Sequence, residues 1–216
     1  MRPGEPLILW PWVFSHLPDI RDRVVEHLEL TFIAIGVGLV LSFALSLIVL
    51  RVPRTYGPVT WVTGILYTIP SLALFSLLIP FTGLSIVTAE IGLVSYTLLI
   101  LIRNILAGLE GVPREVREAA EGMGFSRARQ LLRIELPLAA PVIVAGIRIA
   151  TVTTIGLVTV TGLIGQGGLG AFIIEGINRD FRTPLVVGSV LSIALAVVAD
   201  VALAGATRLL SPWSRR

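Results

Sequence analysis

Charged residues are missing from four long stretches of the chain, 30–50, 55–89, 149–174 and 183–199, which run 21, 35, 26 and 17 residues. A helix crosses the hydrocarbon core of a bilayer with ~20 apolar residues. A soluble fold cannot hide so many runs of that length. The pattern predicts an all-α, polytopic membrane protein with five transmembrane helices at about 28–50, 58–80, 85–109, 138–163 and 184–206. Pro70 inside the second span and Pro80 at its end predict a kinked helix, because an interior proline frees a backbone carbonyl. Glu90 and Arg103 stand near opposite ends of the third span.

Ahead of the first span, residues 19–29 place Ile20, Val24, Val25 and Leu28 at helical spacing opposite Arg21, Asp22 and Glu26. That pattern predicts an amphipathic helix lying on the membrane surface, with Trp10 and Trp12 at headgroup level. Pro6 and Pro11 break the apolar run of the first fourteen residues, and no small-residue cleavage site follows, so this start does not read as a signal peptide. The expected division is therefore an outer-side segment 1–27, a membrane domain 28–206 and a tail 207–216.

Polar positions concentrate in residues 110–137, which hold ten of the 31 charged residues, among them Arg114, Arg117, Arg127, Arg129 and Arg133. Pro113 suits the start of a helix and Gly122 and Gly124 its end, while Ser126 suits the cap of a second helix that Pro137 would stop. Two short amphipathic helices follow, Val116, Ala119, Ala120 and Met123 forming an apolar stripe on the first. If this stretch is cytoplasmic, its side of the membrane carries ten arginines and the other side five, which places the N-terminus outside and the C-terminus inside.

Composition sharpens this picture. Of the 216 residues 55% are hydrophobic and 14% charged, and cysteine is absent, which removes disulfides, thiolate metal sites and thiol nucleophiles. All 17 basic residues are arginine, so lysine Schiff-base chemistry and a P-loop lysine are excluded. The net charge of +3 fits arginine-rich cytoplasmic loops better than nucleic-acid binding.

The 110–137 stretch admits three readings: an ordinary structured loop, a DNA-binding helix-turn-helix, or a docking element. Tethering by membrane spans at both ends argues against access to a DNA groove. The sequence Glu118-Ala119-Ala120, then Gly124, then Ile134, Leu136 and Pro137 resembles the EAA signature of membrane subunits of binding-protein-dependent ABC importers. Further segments, TIPSLALFSLLIP at 68–80, IRN at 102–104, ELPLAAPVIVAGIR at 135–148 and IGQGGLG at 164–170, resemble the branch that moves glycine betaine, choline and carnitine.

The resemblance implies a type I ABC importer permease fold in a prokaryotic cytoplasmic membrane. It implies two ATPase subunits that hold ATP and magnesium, with no cofactor on this chain. A second permease copy, identical or paralogous, and an extracytoplasmic solute-binding protein complete the expected assembly. The expected substrate is a small osmoprotectant; because amino-acid and methionine permeases share the EAA loop, and related permeases serve ergothioneine, those solutes are the alternative. A secondary transporter, the competing class, needs ion-coupling carboxylates and often inverted repeats; only Asp200 is central in a span, and no repeat is visible.

Candidate path or gate residues are Pro70, Ser71, Arg148, Gly165, Gly167, Gly168 and Gly170. The glycine segment lacks the GK[ST] ending of a phosphate loop and reads instead as a gate or a simple tight loop at the outer end of the fourth span. Arg148 lies ~16 Å past Pro137 along a helix, too deep for an end charge. Either it pairs with Asp200 or it lines the path. Arg103 reads as snorkelling to the headgroups. His16 and His27 lack metal-ligand spacing and read as solvated. Aromatic residues in the spans, Phe32, Phe43, Trp61, Tyr67, Phe75 and Tyr96, are scattered, so no cage for a quaternary ammonium is visible.

Overall fold

The structure, a computed structural model, describes residues 6–210. Among them the ordered elements are helical: α1 (Trp10–Ser15), α2 (Leu17–Arg51), α3 (Tyr56–Thr68), α4 (Ser71–Thr82), α5 (Ile86–Glu110), α6 (Arg114–Gly122), α7 (Arg127–Gln130), α8 (Leu136–Thr161), α9 (Leu169–Asn178) and α10 (Arg182–Leu210). Four helices are long and apolar enough to cross a membrane, and the bent pair α3–α4, counted as one crossing, makes five.

The first span differs from expectation. Residues 19–29 form no separate surface helix; they are the first three turns of α2, which runs unbroken for 35 residues, or ~52 Å. That is well beyond the ~30 Å hydrocarbon thickness, so the charged turns carry the helix past the apolar zone while its half-buried side packs on the bundle. Of the expected tail, residues 207–210 lie in α10 and the rest falls outside the described residues.

The second span is not one kinked helix. At Ile69 and Pro70 both residues are extended, with ψ of 128° and 133°, and α3 and α4 meet at 99°. Proline drives the preceding residue out of the helical region, so the break begins at Ile69. Its freed carbonyl accepts a hydrogen bond from the Tyr96 hydroxyl on α5, the repair that an irregular backbone needs at membrane depth.

Helix α5 is the axle of the bundle. It packs against α2, α8, α3 and α4, and 56% of its most apolar window is buried, against 17% for α10. Lipid tails are as apolar as leucine, so close fit rather than water exclusion holds such helices together. Small residues allow that fit: a Cβ on Gly38 of α2 would stand 2.0 Å from Thr97 Oγ1, and one on Gly92 would stand 2.3 Å from the Phe75 ring. Phe75 therefore lies fully enclosed with Leu30, Ala34, Leu93 and Val158.

Pro137 does not stop the second short helix. Arg127–Gln130 passes through a single π turn, Leu131–Glu135, directly into α8, and Pro137 occupies the first turn of that helix. The π turn widens the helix just ahead of the proline, with Leu136 N bonded to the Leu131 carbonyl, and so accommodates the missing amide inside the rod. The result is a continuous rod of 38 residues, Arg127–Ile164.

Candidate functional site

At one end of the bundle, α6 and α7 form a polar helix pair. Ala120 is fully buried, and Phe125 N donates back to its carbonyl at 3.1 Å, closing the turn. Gly124, with φ of +77°, sits in the left-handed region that favours glycine. Ser126 begins α7 without donating or accepting a side-chain cap bond.

Three residues that the sequence reading passed over brace the pair. Arg117 reaches the Leu109 carbonyl at the end of α5 and stands 4.0 Å from Glu135, while Gln130 Nε2 donates to Glu135 Oε1 at 2.9 Å. Arg117 and Glu135 lie on opposite sides of the Gly124 turn, beyond the reach of any i+3 or i+4 pairing, so no local pattern announced the contact.

The opposite face of α6 is free. Glu118 is exposed and held by Arg114 at 2.7 Å, Ala119 is exposed, and Met123 shows 68% of its surface. Ile134 and Leu136 are half-buried and Pro137 exposed, where the π turn meets α8. The candidate docking residues thus divide between an inward anchor, Ala120, and an outward ridge.

At the far end of the α8 rod the chain turns through Gly165 and Gly168, with φ of +80° and +47°. Gly167, Gly168 and Gly170 are buried. A Cβ on Gly167 would fall 2.2 Å from Gly162 N, and one on Gly170 would fall 2.2 Å from the Thr159 carbonyl. Glycine is thus needed here for close packing of α9 on α8. Gly167 N donates to Glu26 Oε1 at 3.1 Å.

His27, read as solvated, is fully buried beneath Gly168, its Nε2 3.1 Å from the Ile155 carbonyl. His16 is half-buried and stacks on Trp12 at 4.3 Å. Trp12 also meets the edges of Phe172 and Phe181 at 5.8 and 5.9 Å. An aromatic cluster therefore exists after all, in segments outside the expected spans, assembled from residues 160 apart. Beside it a cleft of about 470 Å³ is lined by Asp19, Asp22, Glu26 and Glu175, with Arg23 and His16.

Arg148 and Asp200 are in contact across α8 and α10 through two guanidinium–carboxylate bonds, one of 2.6 Å between Nη2 and Oδ2. Arg103 is exposed on α5. Both carboxylate oxygens of Glu90 are enclosed without a hydrogen-bond partner among the described residues. Pro70 and Ser71 form the α3–α4 corner. Tyr67 and Tyr96 meet edge to face at 6.1 Å beside that corner, while Trp61 and Phe32 project outward, so the span aromatics form no cage.

A helical bundle crossing the membrane, with a braced polar helix pair at one end and a break at the other, is the architecture of a type I ABC importer permease rather than of an enzyme. The chain belongs to the family described as the binding-protein-dependent transport system inner membrane component, which matches residues 31–212. It is 37% identical over 194 residues to the choline transport system permease protein OpuBB of Bacillus subtilis, covering 90% of this chain and 89% of that one. It is 34% identical to the osmoprotectant import permease protein OsmW of Salmonella typhimurium, covering 84% and 86%. In fold it is similar to the MetNI methionine ABC transporter in an inward-facing conformation, with a TM-score of 0.81 and 22% identity over 91% of this chain and 98% of that one.

Proposed function

We propose that this chain is the permease subunit of an importer for a small osmoprotectant such as choline, glycine betaine or carnitine, with its N-terminus outside and its C-terminus in the cytoplasm. This chain, a second permease identical or paralogous to it, two ATPases carrying ATP and magnesium, and an extracytoplasmic binding protein make up the working assembly. Relatives named for choline and other osmoprotectants, at 31–37% identity over most of the chain, support the substrate class. Selectivity then rests on the binding protein, since the spans hold no aromatic cage.

The single observation that carries the coupling role is the free ridge of α6. Glu118, Ala119 and Met123 face out from a pair held by Arg117, Gln130 and Glu135. In the working cycle the ATPases grip this ridge, with the small Ala119 permitting close approach and Glu118 offering charge-assisted hydrogen bonds. Closure of the ATPase pair then displaces α7, and the unbroken α7–α8 rod carries the motion to the glycine turn. Inward-open and outward-open states exchange by shifting this equilibrium.

The test is uptake of radiolabelled choline and glycine betaine by cells expressing the full transporter. Glu118→Arg reverses the charge of the ridge and is expected to abolish ATP-dependent uptake while the permease still inserts. Persistent ATP-independent uptake in that variant would overturn the reading. Competition by methionine but not by choline would move the chain to the amino-acid branch.

A further inference from the structure

Two adjacent residues of α2 reach two different parts of the α8 rod's far end. Glu26 Oε1 accepts from Gly167 N at 3.1 Å, and its other oxygen is held by Arg23 at 2.7 Å. His27 Nε2 faces the Ile155 carbonyl at 3.1 Å; a carbonyl only accepts, so this ring nitrogen carries the proton. Beneath them the backbones touch: a Cβ on Gly168 would stand 2.6 Å from His27 Cβ and 2.7 Å from its backbone N and Cα. Leu9 N completes the join by donating to Thr183 Oγ1 on α10 at 2.9 Å.

The other side of the bundle is built differently. α4 packs chiefly on α5 and exposes Leu72, Leu77 and Phe81. Among the described residues, its junction with α3 receives one side-chain hydrogen bond from another helix, from Tyr96 to Ile69.

We infer that Glu26 and His27 are positioning residues that clasp the glycine turn to α2. The outer turns of α2, the end of α8 and α9 then move as one body, and the outward opening occurs at the α3–α4 corner instead. The consequence for transport rests on reading residues 165–170 as part of the outer gate region; the clasp itself does not. It relocates the compliant joint from the glycines, of which Gly167, Gly168 and Gly170 are held by close backbone contacts, to Ile69–Pro70.

Amide hydrogen exchange on the full transporter in lipid nanodiscs tests this. In Glu26→Ala the segment 165–171 is expected to exchange about tenfold or more faster, the effect of losing a hydrogen bond to a charged acceptor. Glu26→Gln, which keeps the acceptor, falls between. In the unaltered protein, protection of 165–171 stays the same in nucleotide-free and vanadate-trapped states, while protection around 67–72 changes. Uptake per ATP hydrolysed drops in Glu26→Ala and recovers in Glu26→Gln.

Unchanged exchange in Glu26→Ala overturns the clasp, and so does loss of protection at 165–171 on vanadate trapping. If Glu26→Ala does not fold, the glutamine variant and the nucleotide comparison decide the matter alone. Should no osmoprotectant be transported, the exchange results still stand or fall independently of that failure.

Discussion

Gly122 and Gly124 sit two residues apart, yet alanine should act oppositely at the two positions. Gly122 is the last residue of α6, in right-handed helical conformation, and a Cβ there meets nothing within 4 Å. Alanine there narrows the unfolded ensemble and stabilises the pair by up to about 0.5–1 kcal/mol. Gly124 is equally open, but its φ is +77°. The whole penalty at that position is therefore intrinsic to the backbone, about 1–2 kcal/mol for an L side chain in the left-handed region. A cost of that size reduces the closed-to-open ratio of the turn by a factor of roughly 5–30. Because the turn presents the Glu118–Ala119 ridge, the affinity of the permease for its ATPase falls by up to the same factor, in full where the closed turn is the minor form of the free permease. Binding of purified ATPase to nanodisc-embedded permease reads this directly. Gly124→Ala should weaken binding by up to about 5- to 30-fold, Gly122→Ala should leave it unchanged or tighter, and Gly124→Asn should recover part of the loss because asparagine tolerates this region. Equal effects of the two alanines would refute the assignment of the turn's strain to Gly124.

Two further outcomes follow from the far end and the middle of the rod. Gly170→Ala places a Cβ 2.2 Å from the Thr159 carbonyl, a backbone atom that cannot rotate aside, so the yield of folded permease should collapse; Gly165→Ala, strained in φ but sterically open, should cost only about 1–2 kcal/mol and remain assembled, as monodispersity on gel filtration will show. Arg148→Ala leaves Asp200 alone in α10 and should shorten the thermal half-life of the purified protein more than the double variant Arg148→Ala/Asp200→Ala does, since removing both partners leaves no lone charge; a double-variant loss equal to the sum of the Arg148→Ala and Asp200→Ala losses would mean the contact is not energetically coupled.

How much of this was legible in the residues depends on the range of the contact that decides each feature. Crossings were legible because hydropathy acts locally: the charge-free windows at 30–50 and 183–199 fall inside α2 and α10. The polar helix pair was legible because proline and glycine mark its ends. What lay beyond reach was decided by distant partners. His27 has the polar neighbours of a solvated residue, and only the approach of Gly168, 141 positions later, encloses it. The aromatic cluster joins Trp12 to Phe172 and Phe181, and the bracing of α6 joins Arg117 to Glu135; neither has a period.

The two proline errors have a common physical origin that bears on how the permease moves. Proline removes one amide and disfavours a helical residue before it, but what the chain does next depends on who receives the orphaned carbonyl. At Pro137 the missing amide falls directly after the π turn, whose Leu136 N to Leu131 carbonyl bond keeps the helix closed, so the rod continues and can transmit a push. At Pro70 the break falls mid-span, the Tyr96 hydroxyl donates to the Ile69 carbonyl, and the chain turns by 99°. The same residue type thus builds a stiff arm in one place and a joint in the other. An arm without a joint could not open a path, and a joint without an arm would not feel the ATPase.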